Sequence, residues 1–157
     1  MYFEFYCDPP CAFAKAGWKD AIDSLMVRGF GAKDVEIWNA DKLLVMKLED
    51  EFLAAATIDL FDFEIDDNGK RLWIESLTIP DHPLKQSVSL FSMFWDFIWE
   101  SIEDGADSHR IKHKVSLLIE EDGKEKHRLI GIYSSKGMKI EQTVRIGGKS
   151  YLVMIHP

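Results

Sequence analysis

The chain has 157 residues, of which 46% are hydrophobic and 29% charged. That is the make-up of one globular domain, spanning residues 1–157, with enough apolar surface for a sizeable core, and it excludes a disordered chain. The net charge of −8 repels phosphate backbones and argues against nucleic acid as a partner, leaving amines, cationic small molecules and proteins.

Residues Tyr2–Tyr6 read as a short strand. The opening stretch has neither a basic region nor a small-residue cleavage site, so no secretory signal is expected. Asp8-Pro9-Pro10 reads as a helix start, with Asp8 near the N-cap and proline in the first turn. Trp18, Ile22, Leu25 and Met26 then share one helical face, and Gly29 and Gly31 are expected to end that helix. Leu43–Leu48 is an apolar strand, Glu49-Asp50-Glu51 a turn, and Phe52–Ile65 a longer strand. Asp67-Asn68-Gly69 signals a tight hairpin, because Asn-Gly supplies positive φ. Leu72–Ile79 returns, with Trp73, Glu75, Leu77 and Ile79 on one face and Leu72, Ile74, Ser76 and Thr78 on the other.

Pro80–Pro83 is a loop. Ser87–Glu103 reads as a helix in which Val88, Phe91, Trp95, Ile98 and Ile102 step by three and four. Phe94, Phe97 and Trp99 widen the stripe, so this helix is expected to be buried on most sides. Asp96 and Glu100 interrupt it, and it is too short to span a bilayer. Ile111–Glu120 is a further strand, Glu121-Asp122-Gly123 a turn, and Glu125–Ser135 a short helix. Leu129, Ile130 and Tyr133 line its inner face, and Gly137 is its C-terminal glycine. Met138–Ile146 and Tyr151–Ile155 close as a hairpin over Gly147-Gly148.

The order predicts a mixed α/β fold, with one strand–helix–strand crossover that should be parallel and right-handed. It resembles the GNAT N-acetyltransferases: a mainly antiparallel sheet with one parallel β-α-β crossover and flanking helices. Two segments carry the likeness. Ile132-Tyr133 followed by Gly137-Met138-Lys139 is similar to the family's helix-to-strand signature, and it implies that Tyr133 is the general acid toward the coenzyme A thiolate. Lys85-Gln86-Ser87-Val88-Ser89-Leu90 occupies the place of the family's pyrophosphate turn, with Gln86 at the Arg/Gln position. Here Ser89 replaces a glycine, and Phe91 stands where glycine or alanine belongs. The same likeness implies acetyl-coenzyme A as cofactor, an amine of a small molecule or protein as acceptor, and no metal.

Transfer to an amine needs a base for its proton. Glu75 matches the family's base by position, and two readings stand open: a buried carboxyl with raised pKa, or a solvated glutamate. Backbone N–H groups near Leu77, Thr78 and Ile79 would hold the oxyanion, again by resemblance. Asp59, Asp62, Glu64, Asp66 and Asp67 gather near one hairpin, as an acidic rim for a cationic amine or for solubility. Cys7 and Cys11 make no disulfide framework and no metal set, and the histidines add no ligand spacing (His109 and His113 included). Reduced packing thiols and a cytoplasmic location follow. Two functions are open. One is the N-acyltransferase. The other is a GNAT-like module that has lost its cofactor and grips another protein, as a phage effector grips a host enzyme.

Overall fold

A computed structural model describes residues 2–30, 37–61, 71–104 and 115–156. The elements run β1 (Phe3–Asp8), α1 (Pro10–Lys15), α2 (Lys19–Phe30), β2 (Lys42–Leu48), β3 (Glu51–Phe61), β4 (Arg71–Thr78), a 3₁₀ helix (Pro83–Gln86), α3 (Leu90–Asp104), β5 (Val115–Glu120), α4 (Lys126–Ser135), β6 (Lys139–Ile146) and β7 (Lys149–His156). The strands form one mixed sheet in the order β1-β2-β3-β4-β5-β7-β6. β1–β2, β2–β3, β5–β7 and β6–β7 pair antiparallel, and β4–β5 parallel. This is the mixed α/β order that the sequence predicts. The Asp67–Gly69 hairpin, His109, His113 and the start of the strand expected from Ile111 lie outside the described residues. No helix among the described residues is long and apolar enough to cross a membrane.

The chain divides into two units, Met1–Asp59 with Ser76–Ser108, and Leu60–Glu75 with His109–Pro157. In the first, the α2 stripe Ile22, Leu25 and Met26 packs in one cluster with Leu43 and Val45 of β2 and Ala55 of β3. Leu44 and Met46 of β2 are buried as well, so both faces of that strand are covered. Successive residues of β1 show the two faces. The Phe5 ring lies 5.1 Å from that of Phe97 in α3, and the Tyr6 ring 5.0 Å from Trp18. Leu90, Phe94, Trp95 and Ile98 of α3 are buried, while Asp96 and Glu100 are exposed. The width of the apolar stripe thus reads as core, each full burial contributing roughly 1.5–3 kcal/mol.

The structure corrects the first helix in two respects. β1 runs on to Asp8, and Pro9 holds the N-cap position. The helix is also two helices, parted at Gly17, whose φ is +82°. Trp18 N–H donates to Phe13 C=O and Gly17 N–H to Ala14 C=O, the paired bonds of a Schellman stop. The Phe13 and Trp18 rings, 5.9 Å apart, supply its apolar contact. Gly29 does not end α2; it lies within it. The ideal position of a Cβ there is 1.7 Å from Thr78 Oγ1, so the missing side chain lets Thr78 approach.

In the second unit, β5 buries Val115, Ser116, Leu117 and Ile119, and β7 buries Leu152, Val153 and Met154. Gly147 and Gly148, at φ +58° and +82°, close the β6–β7 hairpin between the paired Ile146 and Lys149. Two positive φ values make this a type I′ turn, as the glycine pair predicts. β6 is an edge strand, and its register shifts between Ile140 and Gln142. Such a bulge disfavours further strand addition.

Candidate active site

In the first unit, β4 ends at Thr78, which is buried. One residue-pair back toward the strand's centre, Ser76 Oγ and Thr57 Oγ1 share a hydrogen bond of 2.6 Å. Leu77 and Ile79 are half-buried. Lys85 Nζ donates to Ile79 C=O at 2.8 Å and reaches Asp81 Oδ1 at 3.3 Å. The cation expected to face an anion is thus turned toward the end of β4. The 3₁₀ helix carries Leu84 C=O as a shared acceptor: Ser87 N–H, Val88 N–H and Ser87 Oγ all donate to it. Gln86 and Ser87 are exposed, and Val88 is half-buried.

Ser89 is the N-cap of α3. Its Oγ accepts from Ser92 N–H at 3.2 Å, and its carbonyl accepts from Met93 N–H at 3.1 Å. The helix therefore starts at Leu90, three residues later than the predicted Ser87. Leu90, the first helical residue, is buried, and Phe91 stacks on Trp95 at 5.7 Å. A helix start leaves its first N–H groups without intrahelical carbonyls and carries the positive end of the dipole. Both features suit a phosphate. Ser89 takes up one of those donors, so this turn offers fewer than a glycine-rich one does. Ser89→Ala is expected to cost about 1 kcal/mol of stability through loss of the cap, measurable as a lower denaturation midpoint. Ser89→Asp keeps the cap and is expected to leave the midpoint within about 0.5 kcal/mol of the wild type.

In the second unit, β4 pairs with β5 through Leu72↔Val115, Trp73↔Ser116 and Ile74↔Leu117. β4 runs on to Thr78 and β5 to Glu120. Glu75 is the next residue of β4 and is exposed, whereas Trp73 on the same strand face is 1% exposed.

Tyr133 sits at the end of α4 and is 7% exposed. Burial pushes its phenol up to about 12, partly offset by the positive charge of Arg128. The phenol therefore keeps its proton throughout the neutral range. Its backbone does a second job. Met138 N–H donates to Tyr133 C=O and Gly137 N–H to Ser134 C=O, with Gly137 at φ +91°. Met138 is buried. The Tyr-x-x-x-Gly-Met spacing is thus a Schellman stop, built like Phe13-x-x-x-Gly17-Trp18.

The cysteines are both free. Cys7 is half-buried and Cys11 exposed. Burial pushes the Cys7 thiol up, partly offset by a hydrogen bond with Ser101. No group of metal-ligating side chains occurs among the described residues. Of the acidic rim, only Asp59 is described; its Oδ1 accepts from Asp41 N–H at 2.7 Å. Sequence reasoning passed over His82 and read Gly29 as a helix stop rather than as a point of close approach. Proline at position 83, just inside a helix start, was the available signal for a cap at His82.

No family model matches the chain, and no curated protein matches it. Solved structures do. Naa50 of Arabidopsis thaliana, in complex with the bisubstrate analogue CoA-Ac-MVNAL, is 12% identical over 98% of each chain, with a TM-score of 0.65. An N-acetyltransferase from Staphylococcus aureus Mu50 is 11% identical over 99% of this chain and 97% of its own, with a TM-score of 0.64. A GNAT-family acetyltransferase from Bacillus cereus ATCC 10987 is 9% identical over 99% and 96%, with a TM-score of 0.63. The fold is that of the GNAT N-acetyltransferases, as the order of elements implies.

Proposed function

We propose that the chain is an acetyl-coenzyme A dependent N-acyltransferase, acting in the cytoplasm on an amine of a small molecule or protein. The observation that supports this is the fold: a seven-stranded mixed sheet with its parallel β4–β5 pair, shared with solved N-acetyltransferases. In this reading the backbone of Leu77, Thr78 and Ile79 binds the thioester and its oxyanion. The turn Lys85, Gln86, Ser87, Val88, Ser89 and Leu90 receives the pyrophosphate at the start of α3, where the dipole and the small side chains of Ser87 and Ser89 fit an anion. Bound acetyl-coenzyme A supplies the activated acetyl group. Glu75, exposed to solvent, accepts the proton of the attacking amine directly or through a water. Tyr133 holds a proton at Oη for the departing thiolate.

The second reading, a protein-gripping module without cofactor, is favoured by one specific arrangement. Lys85 is committed to Ile79 and Asp81, and Ser89 Oγ to Ser92, so two groups that could face phosphate face the chain itself. Calorimetric titration with coenzyme A separates the readings. Saturable binding that Ser89→Asp abolishes, with its melting temperature retained, supports the enzyme, because the new carboxylate repels the pyrophosphate while keeping the cap. No heat and no thermal shift at millimolar coenzyme A overturns it. Affinity capture of a stable protein partner would then establish the second reading.

A further inference from the structure

His82 stands before the 3₁₀ helix with extended backbone, φ −146° and ψ 143°. Its ring makes two hydrogen bonds in opposite senses. Nδ1 accepts from Leu84 N–H at 3.1 Å, capping the first turn of the 3₁₀ helix. Nε2 lies 2.9 Å from Glu51 Oε1 at the start of β3. A carboxylate oxygen only accepts, so Nε2 carries the hydrogen and Nδ1 is bare. The two bonds thus require one tautomer of the neutral ring. The backbone supports the same turn, with Lys85 N–H donating to His82 C=O at 3.0 Å. Among the described residues, Glu51 faces the ring from β3, and on the ring's own loop Asp81 and Lys85 are paired with each other.

We propose that His82 is a proton-operated latch on the segment from Pro83 to Ser89. In the neutral ring, Nδ1 holds Leu84 N–H while Nε2–H ties the loop to β3. A proton added at Nδ1 turns that acceptor into a donor facing a donor, and the cap opens. The same proton makes the contact with Glu51 charge-assisted, so the ring swings its allegiance from the 3₁₀ helix to β3. One group thereby exchanges a cap for an ion pair within the pH range where imidazoles act as switches. The latch is a property of this loop and does not depend on the loop receiving a coenzyme.

Nitrogen NMR of the histidine rings and of the Leu84 amide, from pH 8 to pH 5, tests it. At pH 8, His82 should show a protonated Nε2 and a bare Nδ1. On acidification the Leu84 amide resonance should move with the His82 ring, with the same midpoint. His82→Asn places a capping oxygen before the 3₁₀ helix at every pH, so in it the Leu84 amide should not titrate. The latch is overturned if Nδ1 carries the hydrogen at pH 8, or if the Leu84 amide keeps its position while the ring titrates. It is equally overturned if His82→Asn follows the wild-type curve.

Discussion

Gly29→Ala lowers the melting temperature by roughly 3–10 °C. A Cβ at that position would stand 1.7 Å from Thr78 Oγ1, 2.7 Å from Thr78 Cβ and 3.0 Å from Thr78 Cγ2. Thr78 is buried and branched at Cβ, so it has few rotamers to retreat into. Its own Cβ is among the clashing atoms, so rotation alone does not clear the space, and backbone must move. Overpacking of this kind costs about 1–3 kcal/mol or more, against a helix-propensity gain of at most about 1 kcal/mol for alanine over glycine. The clash wins. For a chain of this size each kcal/mol moves the midpoint by roughly 2–4 °C. Gly131→Ala is the control: it lies inside α4 with no atom within 4 Å of its added Cβ, and it should raise stability by about 0.5–1 kcal/mol. Adding Thr78→Ala to Gly29→Ala should recover part of the loss. A Gly29→Ala protein that melts with the wild type would mean that α2 does not approach β4 as described.

The same glycine shows what periodicity can and cannot reach. Trp18, Ile22, Leu25 and Met26 fix the buried face of α2, and all but the half-buried Trp18 are buried. A glycine just after such a stripe looks like a stop, yet its use is a close approach to a strand more than forty residues along the chain. That pairing is long-range and leaves no local mark. Gly17 did leave one. Phe13-x-x-x-Gly17-Trp18 has the same spacing as Tyr133-x-x-x-Gly137-Met138, and both make the same pair of backbone bonds. In α4 the pattern falls at the end of a short helical run and is legible as a stop. In the first helix it interrupts an apolar stripe that keeps helical phase through Trp18, so the periodicity hides it.

The candidate site divides along similar lines. The parallel pairing of β4 with β5 follows from the order of elements, because a helix between two strands of one sheet brings the second back beside the first in the same direction. The commitments of Lys85, His82 and Ser89 depend on where Ile79, Glu51 and Ser92 come to lie. That of Ser89 is legible locally: a serine just before an apolar helical run is a cap signal. It explains why serine serves where glycine was expected, since it starts the helix by supplying its own acceptor.

Tyr133→Phe is expected to lower kcat for acetyl transfer about 100-fold, at the lower end of what a positioned general acid contributes, with KM for acetyl-coenzyme A little changed. A Tyr133→Phe enzyme within about threefold of wild-type kcat would remove Tyr133 from the chemistry and leave it the role its backbone has, ending α4. The substitution also has an effect at high pH that needs no substrate. The folded phenol ionises at about 12 rather than 10.0, so folding favours the protonated form. Its contribution is therefore fully present below pH 10 and is lost as pH rises toward 12, because the unfolded chain releases the proton first. Two units correspond to roughly 3 kcal/mol. Denaturant unfolding of wild type and Tyr133→Phe should accordingly differ by a constant amount up to about pH 9.5. Above that the difference should shift in favour of phenylalanine by up to roughly 3 kcal/mol, while the remaining tyrosines and lysines titrate alike in both proteins and cancel. A difference that stays flat from pH 9 to 12 would mean that the ring is solvated.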